Sequence, residues 1–380
     1  MSFFTKKSTI STELIFDIES DSVCAAIVLY EADKTPRIIY HTESEVTHKA
    51  HTDGAYLSRN MLKALETAAD DVSAAMIAPH VDRIHVVLSS PWIISKLSCV
   101  EKKFEKETVV RQSAVADLLE KERAASSKLF AVGDAAAIDA KLFEIKINGY
   151  PVAEYEGKRA LSLEGTMVVS FASRKMLNEI KSRINRFFRA GDEVFHSSLI
   201  LRYIALRSIL PHHTDYIWLQ VHGELTDVLI VRQGACAVAG SLPFGYDTLV
   251  RKFAGIGNES ETTAASTLAM LDSGSNTSQM AVRQLAEARL TLEKILPEWT
   301  HGIAGLVSGG KEDTLPAAAY VSAGNFSLVF EQAIKQLSPT TSVMRAVAAI
   351  AAPFVEHDPS VNVDLSASLY STALSLSRKL

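Results

Sequence analysis

Cysteine is scarce in this chain of 380 residues: there are three, Cys24, Cys99 and Cys236, and no two stand close together. That spacing argues against a disulfide framework or a zinc site, and it fits a reducing cytoplasm. Long apolar runs are missing too. No uninterrupted stretch reaches the roughly 18 residues that cross a bilayer, so any membrane contact is expected to be peripheral. The opening Met1-Ser2-Phe3-Phe4-Thr5-Lys6-Lys7 lacks the apolar core of a signal peptide. Positive charge is not in excess. Lys and Arg number 39 against 44 Asp and Glu, a net charge of -5, which leaves no basic surface for nucleic acid. What remains is an ordinary soluble balance, 47% hydrophobic and 22% charged, in a chain long enough for two or three domains with a sizeable core.

The most informative stretch runs from Tyr216 to Val250. Ile217, Leu219 and Val221 alternate up to a polar corner, His222-Gly223-Glu224, and Val228 to Val231 leaves it, stopping at Gln233-Gly234. This is the pattern of two strands joined by a tight turn. A third run, Ala235 to Ala239, leads through Leu242-Pro243-Phe244-Gly245-Tyr246-Asp247-Thr248 into a helix. With Asp247 or Thr248 as its cap, that helix would offer free N–H groups to an anion. The same design occurs once before: Leu14-Ile15-Phe16-Asp17-Ile18, the corner Glu19-Ser20-Asp21-Ser22, then Val23 to Tyr30 and Arg37 to Tyr40. Overlaid, Asp17 matches Gln220 and Ile18 matches Val221. The repeat predicts two equivalent domains, each opening with a hairpin.

Between and after the hairpins the order is regular. Leu57, Met61, Leu65 and Val72 stripe a helix, and Ile84 to Leu88 reads as a buried strand closed by Ser89-Ser90-Pro91. Trp92 to Val100 reads as a strand, Glu101 to Glu107 as a charged connector, and Val110, Ala114, Leu118 and Leu119 as a helix face. A hairpin is expected around Asn148-Gly149-Tyr150-Pro151. Strand, helix and strands make a unit of their own, after which Thr166 to Phe171 is expected to return to the first domain. Later helices carry Met176, Ile180 and Ile184; Leu199 to Ile209; Val282, Leu285, Leu292 and Ile295, stopped at Pro297; and Ser327 to Leu337. An alanine-rich helix is expected near Val343 to Ala351.

In these residues the chain resembles the actin-like superfamily, and within it the bacterial FtsA and PilM group. There the two turns grip the phosphates of one nucleotide between the domains, the first reading like DIGSS and the second like DIGGGTTD. This chain has Asp17-Ile18-Glu19-Ser20 and Gln220-Val221-His222-Gly223-Glu224-Leu225-Thr226-Asp227. Pro243 to Leu249 looks like the family's connecting helix start, and Tyr320-Val321-Ser322-Ala323-Gly324-Asn325 like the strand-to-glycine turn beside the adenosine. The inserted unit resembles the SHS2-type domain of that group. The resemblance therefore implies an α/β fold: two actin-like (RNase H-like) domains around a central cleft, with a small inserted α+β domain. The boundaries are 1–91 with 164–210, 92–163 for the insert, 211–355, and a tail of 356–380.

By the same resemblance, ATP and Mg2+ are the implied cofactors, held by Asp17 (also the metal residue), Ser20, Ser22, Gly223, Thr226, Asp227, Gly245, Ser322 and Gly324. Such turns work because backbone N–H groups face the anion and glycine allows close approach, while a carboxylate holds Mg2+ through water. Three departures point to binding that is weak or lost. Glu19 and Glu224 stand where glycine is usual, and carboxylates a few ångströms from phosphate repel it by on the order of several kcal/mol. Gln220 replaces the second-domain aspartate. His222 has no partnered nucleophile in sequence and reads as polar lining; His212-His213 lacks further ligands for a metal; Cys24 and Cys236 read as small core residues.

The tail carries Leu365, Leu369, Ala373, Leu376 and Leu380 on one helical face amid serines. It reads either as a weak interfacial membrane helix or, preferred here, as a helix docked on the core. The expectation is a cytoplasmic scaffold at the inner face of a membrane, in cell division or type IV pilus assembly. It would act through protein partners and self-association rather than through catalysis. An active ATPase or a sugar-kinase-like phosphotransferase of the same fold is the alternative.

Overall fold

Ser11–Ile18 (β1), Ser22–Tyr30 (β2) and Arg37–Glu45 (β3) form the antiparallel meander that the alternation predicts. The computed structural model describes residues 10–47, 53–75, 77, 80–129, 134–152, 154–188, 193–273, 279–308, 314–344, 352–358 and 367–377. Gly54–Ala75 (α1) buries Leu57, Met61, Leu65 and Val72, the stripe read from sequence. Arg83–Leu88 (β4) then lies parallel to β1. With pairing on both edges, Leu14 to Ile18 are buried on both faces, the mark of a central strand in a sheet covered on two sides.

The insert follows. Ile93–Val109 (β5), Gln112–Leu129 (α2), Ala135–Ile147 (β6), Tyr150–Pro151 (β7) and Arg159–Ser173 (β8) make a four-stranded sheet in the order β5-β8-β6-β7, with α2 packed on it. Asn148 and Gly149, both at positive φ, form the tight turn between β6 and β7. Two expectations change here. The charged stretch Glu101 to Glu107 lies within β5, its register shifting between Lys103 and Thr108. Thr166 to Phe171 stays in the insert: it pairs with Ile94 to Cys99 on one side and with β6 on the other. The reason is length, since β8 at 15 residues crosses the whole inserted sheet.

Arg174–Ile184 (α3), Glu193–Ser197 (β9) and Ser198–Ile209 (α4) complete the first sheet, with β9 parallel to β4. The second hairpin opens the next sheet: Tyr216–Val221 (β10), Thr226–Arg232 (β11) and Ala235–Leu242 (β12). Tyr246–Gly257 (α5), Glu261–Ser273 (α6) and Gln279–Ser308 (α7) come next. Ala318–Ser322 (β13) pairs parallel with β10 and is followed by Ser327–Leu337 (α8) and Ser342–Met344 (β14). Pro297 lies inside α7 rather than ending it. An interior proline costs about 3 kcal/mol, but stopping there would expose Trp299, Ile303 and Val307, all buried in this unit's core. Val343 and Met344 belong to β14, and the rest of the expected alanine-rich helix lies outside the described residues.

Chain segments sort into two units: Met1–Ser89, Lys175–Pro211 and Val347–Leu380 form one, Ser90–Arg174 and His212–Ala346 the other. The tail thus belongs to the first unit. Glu356–His357 (β15) extends its sheet beside β3, and Ala367–Ser377 (α9) packs on its core. Leu369, Ala373 and Leu376 are buried with Ile15, Val87 and Leu201. Tyr30 Oη donates to Ala373 O at 3.1 Å, and the Ser375 hydroxyl donates to Leu201 O. The docked reading holds. An interfacial membrane helix is corrected, because the apolar face it needs is already buried; Leu365 and Leu380 lie outside the described residues. Among the described residues, no helix is long and apolar enough to cross a membrane.

Candidate functional site

The two turns close in the same way. Glu19 N–H donates to Ser22 O at 2.9 Å, and His222 N–H donates to Leu225 O at 2.8 Å. The last paired residues are Ile18 with Val23 and Val221 with Thr226. Asp17 and Gln220 are therefore equivalent in register, as the overlay predicts; Asp17 faces Cys24 and Gln220 faces Asp227.

In the first turn Asp17, Ser20 and Ser22 are all buried. Glu19, expected as a repelling charge, has a partner that the sequence did not reveal. Arg202 of α4 donates from Nη2 to Glu19 Oε1 at 3.0 Å, the two side chains being 5% and 13% exposed. Asp17 keeps the carboxylate type that water-mediated Mg2+ binding requires.

The second turn is more heavily engaged. Asp227 accepts the Ser241 hydroxyl on Oδ1 at 2.7 Å and His222 Nε2–H on Oδ2 at 3.1 Å, with Ser90 N–H at 3.4 Å. Since the single Ser241 proton goes to Asp227, Ser90 Oγ is the donor in its 2.7 Å bond to Ser241. Burial by itself raises the Asp227 carboxyl; the His222 hydrogen bond and charge, then Ser90 and Ser241, outweigh it and lower its pKa from 3.8 to about 2. Thr226 is likewise turned inward. Its hydroxyl donates to Phe244 O at 2.6 Å and accepts from Trp299 Nε1 at 3.0 Å. Glu224 forms a two-point ion pair with Arg251 of α5, at 2.9 and 2.6 Å.

The start of α5 differs from the expectation. Gly245 caps it, not Asp247 or Thr248, and the Tyr246 and Asp247 N–H groups donate to His222 O at 3.0 Å and Gly223 O at 2.8 Å. A Cβ on Gly245 would lie 2.2 Å from both of those carbonyl oxygens. Glycine is needed there because the helix start rests directly on the turn. Those two α5 N–H groups are committed to the turn's own backbone and are not offered to an anion. Thr226, Asp227, Gly223 and Gly245 do come together, but to brace one another.

Ser322 sits beside Gln220 in the parallel β10–β13 register. Gly324, at φ 51°, opens a short 3-10 turn, where Ala323 N–H donates to Ser327 Oγ at 3.1 Å. The Phe326 ring lies 5.5 Å from that of Tyr246. Other sequence candidates resolve simply. His222 is fully buried against Asp227, His213 Nδ1 bonds Tyr320 Oη at 2.7 Å, and Cys24 and Cys236 are buried, burial pushing Cys236 up to about 12. A cavity of about 440 Å³ on the inserted sheet and one of about 420 Å³ beside β2 and β3 are lined by no residue of either turn. Reasoning from sequence missed Arg202, Arg251, Ser90 and Ser241. Arg202, Arg251 and Ser90 reach their partners from separate elements, whereas Ser241 is the direct cross-strand neighbour of Asp227 in the β11–β12 hairpin.

Two sheets that share the order 3-2-1-4-5 counted from each opening hairpin, the first with β15 added beside β3, and with turns closed alike, define this as an actin-like fold. No family model and no characterised relative matches the sequence. Among solved structures the chain is similar to that of a PilM–PilN type IV pilus biogenesis complex, at 12% identity over 97% of this chain and 98% of that one, with a TM-score of 0.61. It is more distantly similar to the ethanolamine utilization protein EutJ from Carboxydothermus hydrogenoformans (9% identity, 97% and 89% covered, TM-score 0.45). A Bacteroides thetaiotaomicron protein with an actin-like ATPase fold gives 11% identity, 98% of each chain covered and a TM-score of 0.40.

Proposed function

We propose that this protein is an actin-like scaffold similar to PilM, cytoplasmic and held at the inner face of the membrane by protein partners of a type IV pilus machine. The observation that carries this is the end-to-end likeness to the PilM–PilN structure, 97% of one chain on 98% of the other. It supports reading the insert as the SHS2-type domain, and the pilus role over the division role. The nucleotide grip is degenerate in this reading. Its second turn has Asp227 locked to His222 and Ser241 and the α5 N–H groups bound to its own carbonyls. An active ATPase or phosphotransferase needs both of those features free. The test is titration of the full chain with the protein that corresponds to PilN in the same genome. A one-to-one complex, followed by calorimetry and gel filtration, is expected. Failure to bind it, or capture instead of a division protein, would overturn the pilus assignment.

A further inference from the structure

Three metal-ligand side chains meet on one face of the first sheet. The β2–β3 register sets Cys24 opposite Glu43 and Ala26 opposite His41. The alternating residues Tyr40 and Thr42 turn to the other face, where both bond Asp71 of α1. As a result a Cys24 sulfur, an imidazole nitrogen of His41 and a carboxylate oxygen of Glu43 lie within 4.8 Å of one another. A further observation points to a ligand. His41 Nε2 is buried and has no hydrogen-bond partner among the described residues, an arrangement that native structures rarely leave unmet.

We propose that Cys24, His41 and Glu43 bind one divalent transition-metal ion of the zinc type, with the fourth position open to solvent on the exposed Glu43 side. A thiolate with an imidazole selects a borderline-soft ion and rejects Mg2+ and Ca2+, which take oxygen ligands. Metal bonds of about 2.0 to 2.3 Å place ligand atoms about 3.5 Å apart, so the three need to draw in by about 1 Å. Binding replaces the Cys24 S–H bond with an S–metal bond and releases the proton to solvent. The site lies on the hairpin next to the first turn, so the metal would tie β3 to β2 at that end of the sheet.

The test is Co2+ titration of the full metal-free chain, read by absorption. One equivalent should produce a thiolate-to-cobalt charge-transfer band with tetrahedral d–d bands, and Zn2+ should displace it. Cys24→Ser should abolish the charge-transfer band, whereas Cys99→Ser should leave it intact. Glu43→Gln, at an exposed position the fold tolerates, removes a direct ligand and should weaken binding by at least about 100-fold, more than the loss of an outer-sphere contact. Absence of the band at saturating Co2+ in the folded chain, or its persistence in Cys24→Ser, would overturn the site.

Discussion

At Gly245 a single missing methyl group decides how α5 meets the second turn. Its φ of -125° is open to any residue, so the requirement is space and not conformation. The atoms 2.2 Å from an added Cβ are backbone carbonyls, which cannot rotate aside. Gly245→Ala should therefore destabilise the second unit by about 3 kcal/mol, the cost of forcing volume into a closed contact, read as a lower urea midpoint. Asp227 allows a prediction with a pH sign. Its folded pKa of about 2 lies below the ordinary 3.8. The stabilisation is thus complete above 3.8, falls as pH drops from there to about 2, and is gone below. The shift corresponds to roughly 2 kcal/mol for a group this buried. Asp227→Asn should flatten acid unfolding across that window and lower stability at neutral pH, where His222 and Ser241 lose their carboxylate; an unchanged acid profile would count against the network. At this scale the sequence was partly legible. Asp17 and Gln220 could be matched because hairpin register is local, but the electrostatic meaning of Glu19 and Glu224 was not, because Arg202 and Arg251 arrive on distant helices.

Among the elements, the tail shows how far periodicity reaches. Spacing alone put Leu369, Ala373 and Leu376 on one face, yet a face says nothing of what covers it. The covering surface, Ile15 on β1, Val87 on β4 and Leu201 on α4, comes from three separate stretches. Ending the chain at Asp358 removes α9 and uncovers that surface, and each buried leucine lost forfeits about 1.5 to 3 kcal/mol. The shortened chain should melt at a markedly lower temperature or aggregate, and the intact chain should stay in the supernatant when vesicles are sedimented. Co-sedimentation of the intact chain that the shortened one loses would restore the membrane reading. The same limit explains the misplaced strand at Thr166 to Phe171 and the helix continuing past Pro297. Local signals marked a strand and a breaker correctly. Partner choice for the strand, and Trp299 anchored by Thr226 and by the Phe330 ring at 4.9 Å, were decided by tertiary packing.

For the molecule as a whole, the repeat of an opening hairpin was legible because two hairpins with matching corners lie some two hundred residues apart in a chain of this length. What the repeat does with a nucleotide depends on details within each unit. In the first, Asp17 is present and Glu19 is neutralised by Arg202. In the second, the amides at the start of α5 are bonded to His222 O and Gly223 O, and opening them would break the contact that Gly245 makes possible. We expect calorimetry with Mg-ATP to give binding too weak to saturate and phosphate release no faster than in buffer. The pairing also reverses a simple expectation about variants. Removing a carboxylate from a phosphate turn ordinarily improves anion binding, but Glu19→Gly takes the Glu19 partner from a guanidinium only 5% exposed. Breaking such a pair costs about 3 to 5 kcal/mol, so Glu19→Gly should lower the melting temperature of the first unit without tightening ATP. Micromolar ATP binding with steady turnover by the intact chain would mean that the second turn opens in solution, and the proposed scaffold role would then give way to an enzymatic one.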